Sequence, residues 1–137
     1  MVGWAHMEHG IRLSTVNLNA PDPRALGAFY ARLLGWEVLT DEPDWVVVGD
    51  GDDYLRLSFE TDLHFQAPVW PSEPGRPPIQ LHLDVRVTEL DGAVQHAEAC
   101  GARLHPHQPQ DDVRVLLDPA GHVFCLWLDR EGPEEAG

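Results

Sequence analysis

Six side chains in the second half of the chain offer the densest chemistry. They stand on two short alternating runs, QLHLDVRV (Gln80–Val87) and VFCLWL (Val123–Leu128). In an extended strand, neighbouring residues point to opposite faces. His82, Asp84 and Arg86 therefore share one face, with Leu81, Leu83, Val85 and Val87 on the other. In the second run, Val123, Cys125 and Trp127 face one way, and Phe124, Leu126 and Leu128 the other. A third run, YLRLSFE (Tyr54–Glu60), places Tyr54, Arg56, Ser58 and Glu60 opposite Leu55, Leu57 and Phe59. An imidazole can move protons near neutral pH, and a guanidinium can grip an anion through a planar fork. An apolar surface beside a few such groups is the make-up of a small-molecule pocket.

The spacing limits what these groups can do together. Residues two apart on a strand lie about 7 Å apart, so a direct Asp84–His82 hydrogen bond is not expected. Cys100 falls on a helical apolar face with Leu90, Ala93 and Ala97, so it is expected in the core and not bridged to Cys125. His105, His107 and His122 read as loop and turn histidines. Asp111-Asp112 and the run Gly49–Asp53 read as turn chemistry, without the spacing or closing Glu of a calcium loop. Trp70 either caps a cavity mouth or anchors the segment that carries it.

The elements that must hold these residues repeat. STVNLNAPDPRALGAFYARLLGWEV (Ser14–Val38) overlays QLHLDVRVTELDGAVQHAEACGARL (Gln80–Leu104), with Gly35 on Gly101, Asp22 on Thr88 and Val16 on His82. Each copy reads strand, cap, helix, glycine, strand. Asp22 before Pro23 opens the first helix, and Thr88-Glu89-Leu90-Asp91 resembles a capping box for the second. Gly35 and Gly101 stop the two helices. Further strands are expected at Trp36–Thr40, Trp45–Val48 and Tyr54–Glu60, then at Ala102–His105, Val113–Leu117 and Val123–Leu128. Asp118-Pro119-Ala120-Gly121 forms the turn before the last of these. The chain thus divides into an arm (1–10), a βαβββ module (11–60), a Pro-rich linker (61–79), a second βαβββ module (80–128) and an acidic tail (129–137). The fold class is α+β, two modules in a pseudo-twofold repeat with curled sheets.

Composition narrows the function. The 137 residues carry a formal net charge of −14 and no lysine. That charge repels nucleic acid and anionic membranes. The missing lysine removes Schiff-base chemistry. No apolar run is long enough to span a bilayer, and MVGWAHMEHG lacks the apolar core of a signal peptide. Two cysteines in such a chain imply reduced thiols and a cytoplasmic setting.

The repeat, the APDPRALGAFYARLLGW helix entry, the LHLDV strand and the DPAGHVFCLW hairpin resemble the vicinal oxygen chelate superfamily. Within it they are most similar to bacterial glyoxalase-like and bleomycin-resistance-like domains. The resemblance covers nearly all of residues 12–128. It implies two modules around a concave cavity, a homodimer, and metal-ligand places on the first and last strand of each module. Those places fall on Val16, Arg56, His82 and Cys125. Val16 has no lone pair and Arg56 is a fixed cation, which leaves two ligands, so neither a metal nor another cofactor is expected. The expected ligand-binding residues are Val16, Tyr54, Arg56, His82, Asp84, Arg86, Cys125 and Trp127. The leading expectation is a protein that binds a small anionic or aromatic molecule in a metal-free cavity. The alternative is a metal-independent lyase or isomerase with His82 as catalytic acid or base. A third reading is a metal-dependent lyase or dioxygenase with His82, Cys125 and water as ligands.

Overall fold

The computed structural model describes residues 8–51 and 54–131. A single 3-10 turn at Glu8–Gly10 leads into β1 (Thr15–Ala20), α1 (Pro23–Leu34), β2 (Glu37–Glu42), β3 (Trp45–Gly49) and β4 (Arg56–Thr61). The second unit runs β5 (Leu83–Val87), α2 (Leu90–Cys100), β6 (Arg103–Leu104), β7 (Val113–Leu117) and β8 (Val123–Leu128). The strands form two four-stranded sheets, ordered β1-β4-β3-β2 and β5-β8-β7-β6. In each sheet the first and last strands of the unit are parallel neighbours and the other pairings are antiparallel. The architecture is α+β, built from two similar modules whose sheets do not close. Among the described residues, no helix is long and apolar enough to cross a membrane.

Local signals set the helix ends. Asp22 caps α1 by accepting from the Ala25 N–H at 3.2 Å, Pro23 takes the first turn, and Gly35 closes it at φ 68°. For α2 the cap is Glu89, whose carboxylate accepts from the Gly92 N–H at 2.6 Å. Thr88, the expected cap, lies one residue outside. The error comes from the helices themselves. The caps lie 67 residues apart but the closing glycines only 66, because α2 has 11 residues against 12 in α1. Aligning the glycines therefore shifts every residue before the helix by one place. On a strand, one place is the opposite face.

The core confirms the shift. Leu18, Ala20, Leu57 and Phe59 from the first sheet join Leu116, Phe124 and Leu126 from the second in one buried cluster around Phe29 and Tyr30. Tyr30 stacks on Phe59 at 5.7 Å and meets Phe124 edge-on at 6.1 Å, so α1 serves both sheets. Val16 packs against this cluster. Its counterpart in the second module is Leu83, not His82.

Polar anchoring joins the modules at the same place. The Tyr30 hydroxyl donates to Asp118 Oδ2 at 2.7 Å, across 88 residues of chain. Asp118 is fully buried, and its Oδ1 accepts from the N–H groups of Ala120, Gly121 and His122. The Asp-Pro-Ala-Gly turn is therefore both a hairpin and a clamp. Gly121 has φ 99°, and a Cβ there would sit 2.8 Å from that of Ala67 in the linker. The linker closes on the hairpin only because residue 121 has no side chain.

Candidate functional site

Four residues expected at the site, Asp84, Arg86, Cys125 and Trp127, stand on the faces of β5 and β8 turned away from the helices. Asp84 pairs with Cys125 and Arg86 with Trp127 in the parallel register. The Phe124 and Leu126 side chains enter the main core, while Cys125 joins Val115 and Val123 in a small second cluster. The linker covers that cluster with Trp70 and Ile79. Trp70 sits with its ring 5.2 Å from His105 and 5.3 Å from His107. It therefore anchors the linker and also lines a cavity of about 190 Å³ with His82 and Cys125. Two of the loop and turn histidines thus hold this tryptophan.

His82 precedes β5, and the irregular backbone there overturns the expected separation. Its Nε2 lies 3.1 Å from Asp84 Oδ1. The 7 Å spacing applies inside a strand, and residue 82 is not yet in one. One donor atom each from His82, Asp84 and Cys125 lies within 4.8 Å of the others. The sequence offers two ligands because Asp84 stands at none of the four places that the resemblance implies. An imidazole nitrogen, a carboxylate oxygen and a sulfur gathered this closely form a donor set that a divalent metal accepts. The thiol pKa is pushed up to about 11, first by burial and then by the Asp84 charge and hydrogen bond. Without a metal it is therefore a poor nucleophile. The cluster opens on a cavity of about 380 Å³ with Gln110, Val113 and Trp127.

The first sheet carries a different set. With Val16 turned inward, the outward row of β1 is Thr15, Asn17 and Asn19. Asn17 Nδ2 donates to Ser58 Oγ at 2.8 Å. Thr15 pairs with Arg56 and Asn17 with Ser58, so Ser58 is the counterpart of Cys125 and Arg56 of Val123. The expected overlay of Arg56 on Cys125 was two residues out, which preserved the face but not the place. The Arg56 side chain lies across Gly49, where any Cβ would strike it. Tyr54 precedes β4, is 45% exposed, and lies under the Arg12 guanidinium at 4.1 Å. Arg86 is held by Asp129, Nε to Oδ2 at 2.5 Å. Neither Arg56 nor Arg86 lines any of the cavities described here.

A further cavity, about 460 Å³, lies between the outer row of β1, both legs of the linker and the start of β8. Asn17, Asn19, Gln66, Gln80, Phe65 and His122 stand on its wall. The sequence places His122 at a turn and assigns it no site role. Its Nδ1 lies 2.9 Å from the buried Asp118, and its ring meets Phe65 at 4.9 Å. The pairing of His122 with Asp118, four residues apart across a tight turn, was the available signal.

A family model described as a glyoxalase-like domain matches residues 15–127. No match to a curated protein was found. Solved structures of similar fold include a glyoxalase/bleomycin resistance protein/dioxygenase family enzyme from Burkholderia phytofirmans PsJN. It is 23% identical at TM-score 0.64, over 85% of this chain and 97% of that one. A bleomycin-binding protein complexed with bleomycin is 20% identical at TM-score 0.57, over 88% and 99% of the two chains. TnmS3, an antibiotic binding protein from Streptomyces sp. CB03234, is 20% identical at TM-score 0.57, over 86% and 95%.

Proposed function

The chain belongs to the glyoxalase-like domain family, and from that premise we propose that it binds a small organic molecule in the cavity beneath its linker. The observation that carries this is the cavity of about 460 Å³ bounded by both modules and the linker. Its size falls within the roughly 300–1,000 Å³ of small-molecule pockets. Its walls pair proline, phenylalanine and leucine surface with four side-chain amides. Amides donate and accept, so they suit a ligand rich in hydrogen-bonding groups with an aromatic or aliphatic body. An anionic ligand loses its support, because the arginines that suggested it are engaged elsewhere and the carboxylate on this wall is that of Asp62. The similar folds of the bleomycin-binding protein and the antibiotic binding protein TnmS3 favour sequestration as the role. This binding calls for no metal.

A second reading is favoured by one contact. Asp84 at 3.1 Å orients His82, as a carboxylate orients a catalytic imidazole. That reading is a metal-independent lyase or isomerase. The arginines that would steady a developing enolate in that metal-independent chemistry, Arg56 and Arg86, line none of the described cavities. Binding without turnover is therefore the stronger proposal.

We also propose a homodimer in the cytoplasm. Ile11, Leu13 and Leu63 are 74%, 69% and 81% exposed, and each sheet leaves open edges that a second copy would cover. Light scattering should report about twice the 15.3 kDa chain mass. A monomer at micromolar concentration would refute the dimer.

The binding test is a thermal-shift screen of aromatic metabolites and antibiotics, bleomycin among them, on the full chain. A ligand at 100 times its dissociation constant should add about 2.7 kcal/mol of stability. Asn17→Ala and Gln80→Ala should weaken a true cavity ligand about tenfold each, by loss of one hydrogen bond. A stabilising ligand indifferent to both changes would place its site elsewhere.

A further inference from the structure

We infer that His82, Asp84 and Cys125 form a divalent-metal site whose protein donors all come from the second module. The inference does not rest on the small-molecule reading, because the metal is its own probe. Three observations carry it. The three donor atoms lie within 4.8 Å of one another. Their chemistry, one nitrogen, one oxygen and one sulfur, suits borderline-soft Zn²⁺ or Co²⁺ and not Mg²⁺ or Ca²⁺, which take oxygen. No arginine stands among the residues lining the adjoining cavity, and Arg86, the next cation along the same row, is turned to Asp129.

The arrangement differs from the one that the family resemblance implies, in which the first and last strands of both modules contribute. Here the first module offers Thr15, Asn17 and Ser58 on the corresponding places, and two of these are already bonded to each other. Asp84, which stands at none of the four implied places, supplies the third donor. It can do so because His82 lies in irregular backbone before β5, from which its imidazole reaches Asp84 at 3.1 Å. Three protein ligands facing an open cavity leave a fourth position for water, which is the pattern of an accessible zinc site.

The test is Co²⁺ titration of the chelator-treated full chain under a thiol-free reductant, followed by optical spectroscopy. We expect one equivalent to bind with a thiolate-to-cobalt charge-transfer band and the visible bands of four-coordinate cobalt. Added Zn²⁺ should bleach both. Cys125→Ser should abolish the charge-transfer band. Cys100→Ser must leave it unchanged, which matters because Cys100 Sγ lies 3.9 Å from His96 Nε2 and is the competing thiol. His82→Gln and Asp84→Asn are exposed positions that should leave the melting curve in place. Each should weaken Co²⁺ at least as much as the roughly 10- to 100-fold cost of losing an outer-shell partner. No charge-transfer band in the wild type, or a band that survives Cys125→Ser, overturns the site. Undiminished affinity in Asp84→Asn overturns the one-module donor set. None of these outcomes bears on whether an organic ligand binds under the linker.

Discussion

The outward faces of the two sheets share a frame and differ in chemistry. On the first, an amide and a hydroxyl, Asn17 and Ser58, satisfy each other at 2.8 Å. On the second, the same two strand positions hold Asp84 and Cys125, with His82 folded back onto the pair. The first pair is uncharged, and the second gathers an imidazole, a carboxylate and a thiol into one cluster with metal-ligand chemistry. The comparison teaches that the two modules keep one backbone register while the chemistry on their outward rows differs. The helix-side faces did not diverge in this way, because they meet in one core around Tyr30 and Phe124.

The comparison can be broken first where the modules are tied together. Asp118→Ala strips Tyr30 and His122 of their partner and leaves the Ala120 and His122 N–H groups without their acceptor. The loss should cost about 3–5 kcal/mol, as for a buried pair broken on one side. Urea melts would register it, and a change under 1 kcal/mol would show that the clamp is incidental. Tyr30 adds a pH signature. Burial, reinforced by Asp118, holds its phenol well above the ordinary value of 10.0. The neutral phenol thus stabilises the fold fully below about pH 10, and that stability is lost as pH rises towards the folded-state pKa. Tyr30→Phe should remove this component of alkaline unfolding.

Next in size is the register of the first sheet. Val16→Asn should cost about 1–3 kcal/mol, because an amide would enter the core. Asn17→Val should cost less, since it removes one hydrogen bond of about 0.5–1.5 kcal/mol on an exposed row. The reverse ranking in equilibrium denaturation would restore the face assignment that the glycine alignment implied.

Thiol reactivity sharpens the contrast between the sheets. In metal-free protein, iodoacetamide labelling of Cys125 should rise about tenfold per pH unit above neutrality, as the thiolate fraction does. It should not level off until about pH 11, the value to which burial and Asp84 raise the thiol. Asp84→Asn should bring the plateau lower, as followed by peptide mass spectrometry. A plateau near pH 8.5 would mean that the cluster does not form.

The smallest effect concerns the arginine that sequence reading favoured. Arg86→Gln breaks a partly exposed pair with Asp129 and should cost under about 1 kcal/mol. It should leave affinity for any ligand found by the screen unchanged in calorimetry. A tenfold loss would return Arg86 to the site.

Much of this was legible in residue order. Alternation in VFCLWL and LSFE assigned the faces correctly, because apolar residues on one row must leave water. Pro23 and Gly35 bounded the first helix through their backbone preferences. The Asp-Pro-Ala-Gly turn formed as its residue types require, with Gly121 donating to the Asp118 carbonyl at 2.9 Å. Three site features were misread. Val16 was turned outward by a one-residue difference in helix length, which no local pattern reveals. His82 was held apart from Asp84 by assuming a strand where the backbone is irregular. Arg86 was assigned to the ligand because Asp129, its partner, lies 43 residues away in the chain.

The sequence by itself determined the repeat, the α+β class, the apolar rows and the family, since each follows from short-range periodicity, turn chemistry and their order. Only the tertiary structure decided which polar residues meet. Phe65, Trp70 and Ile79 reach the two sheets by way of a linker without regular period, and its course is set by what it packs against. Tyr30 finds Asp118, and His82 and Asp84 find Cys125, because the packing of the modules and the pairing of β5 with β8 fix those distances. Local propensity acts over a few residues, and contacts across 41 to 88 residues are beyond its range.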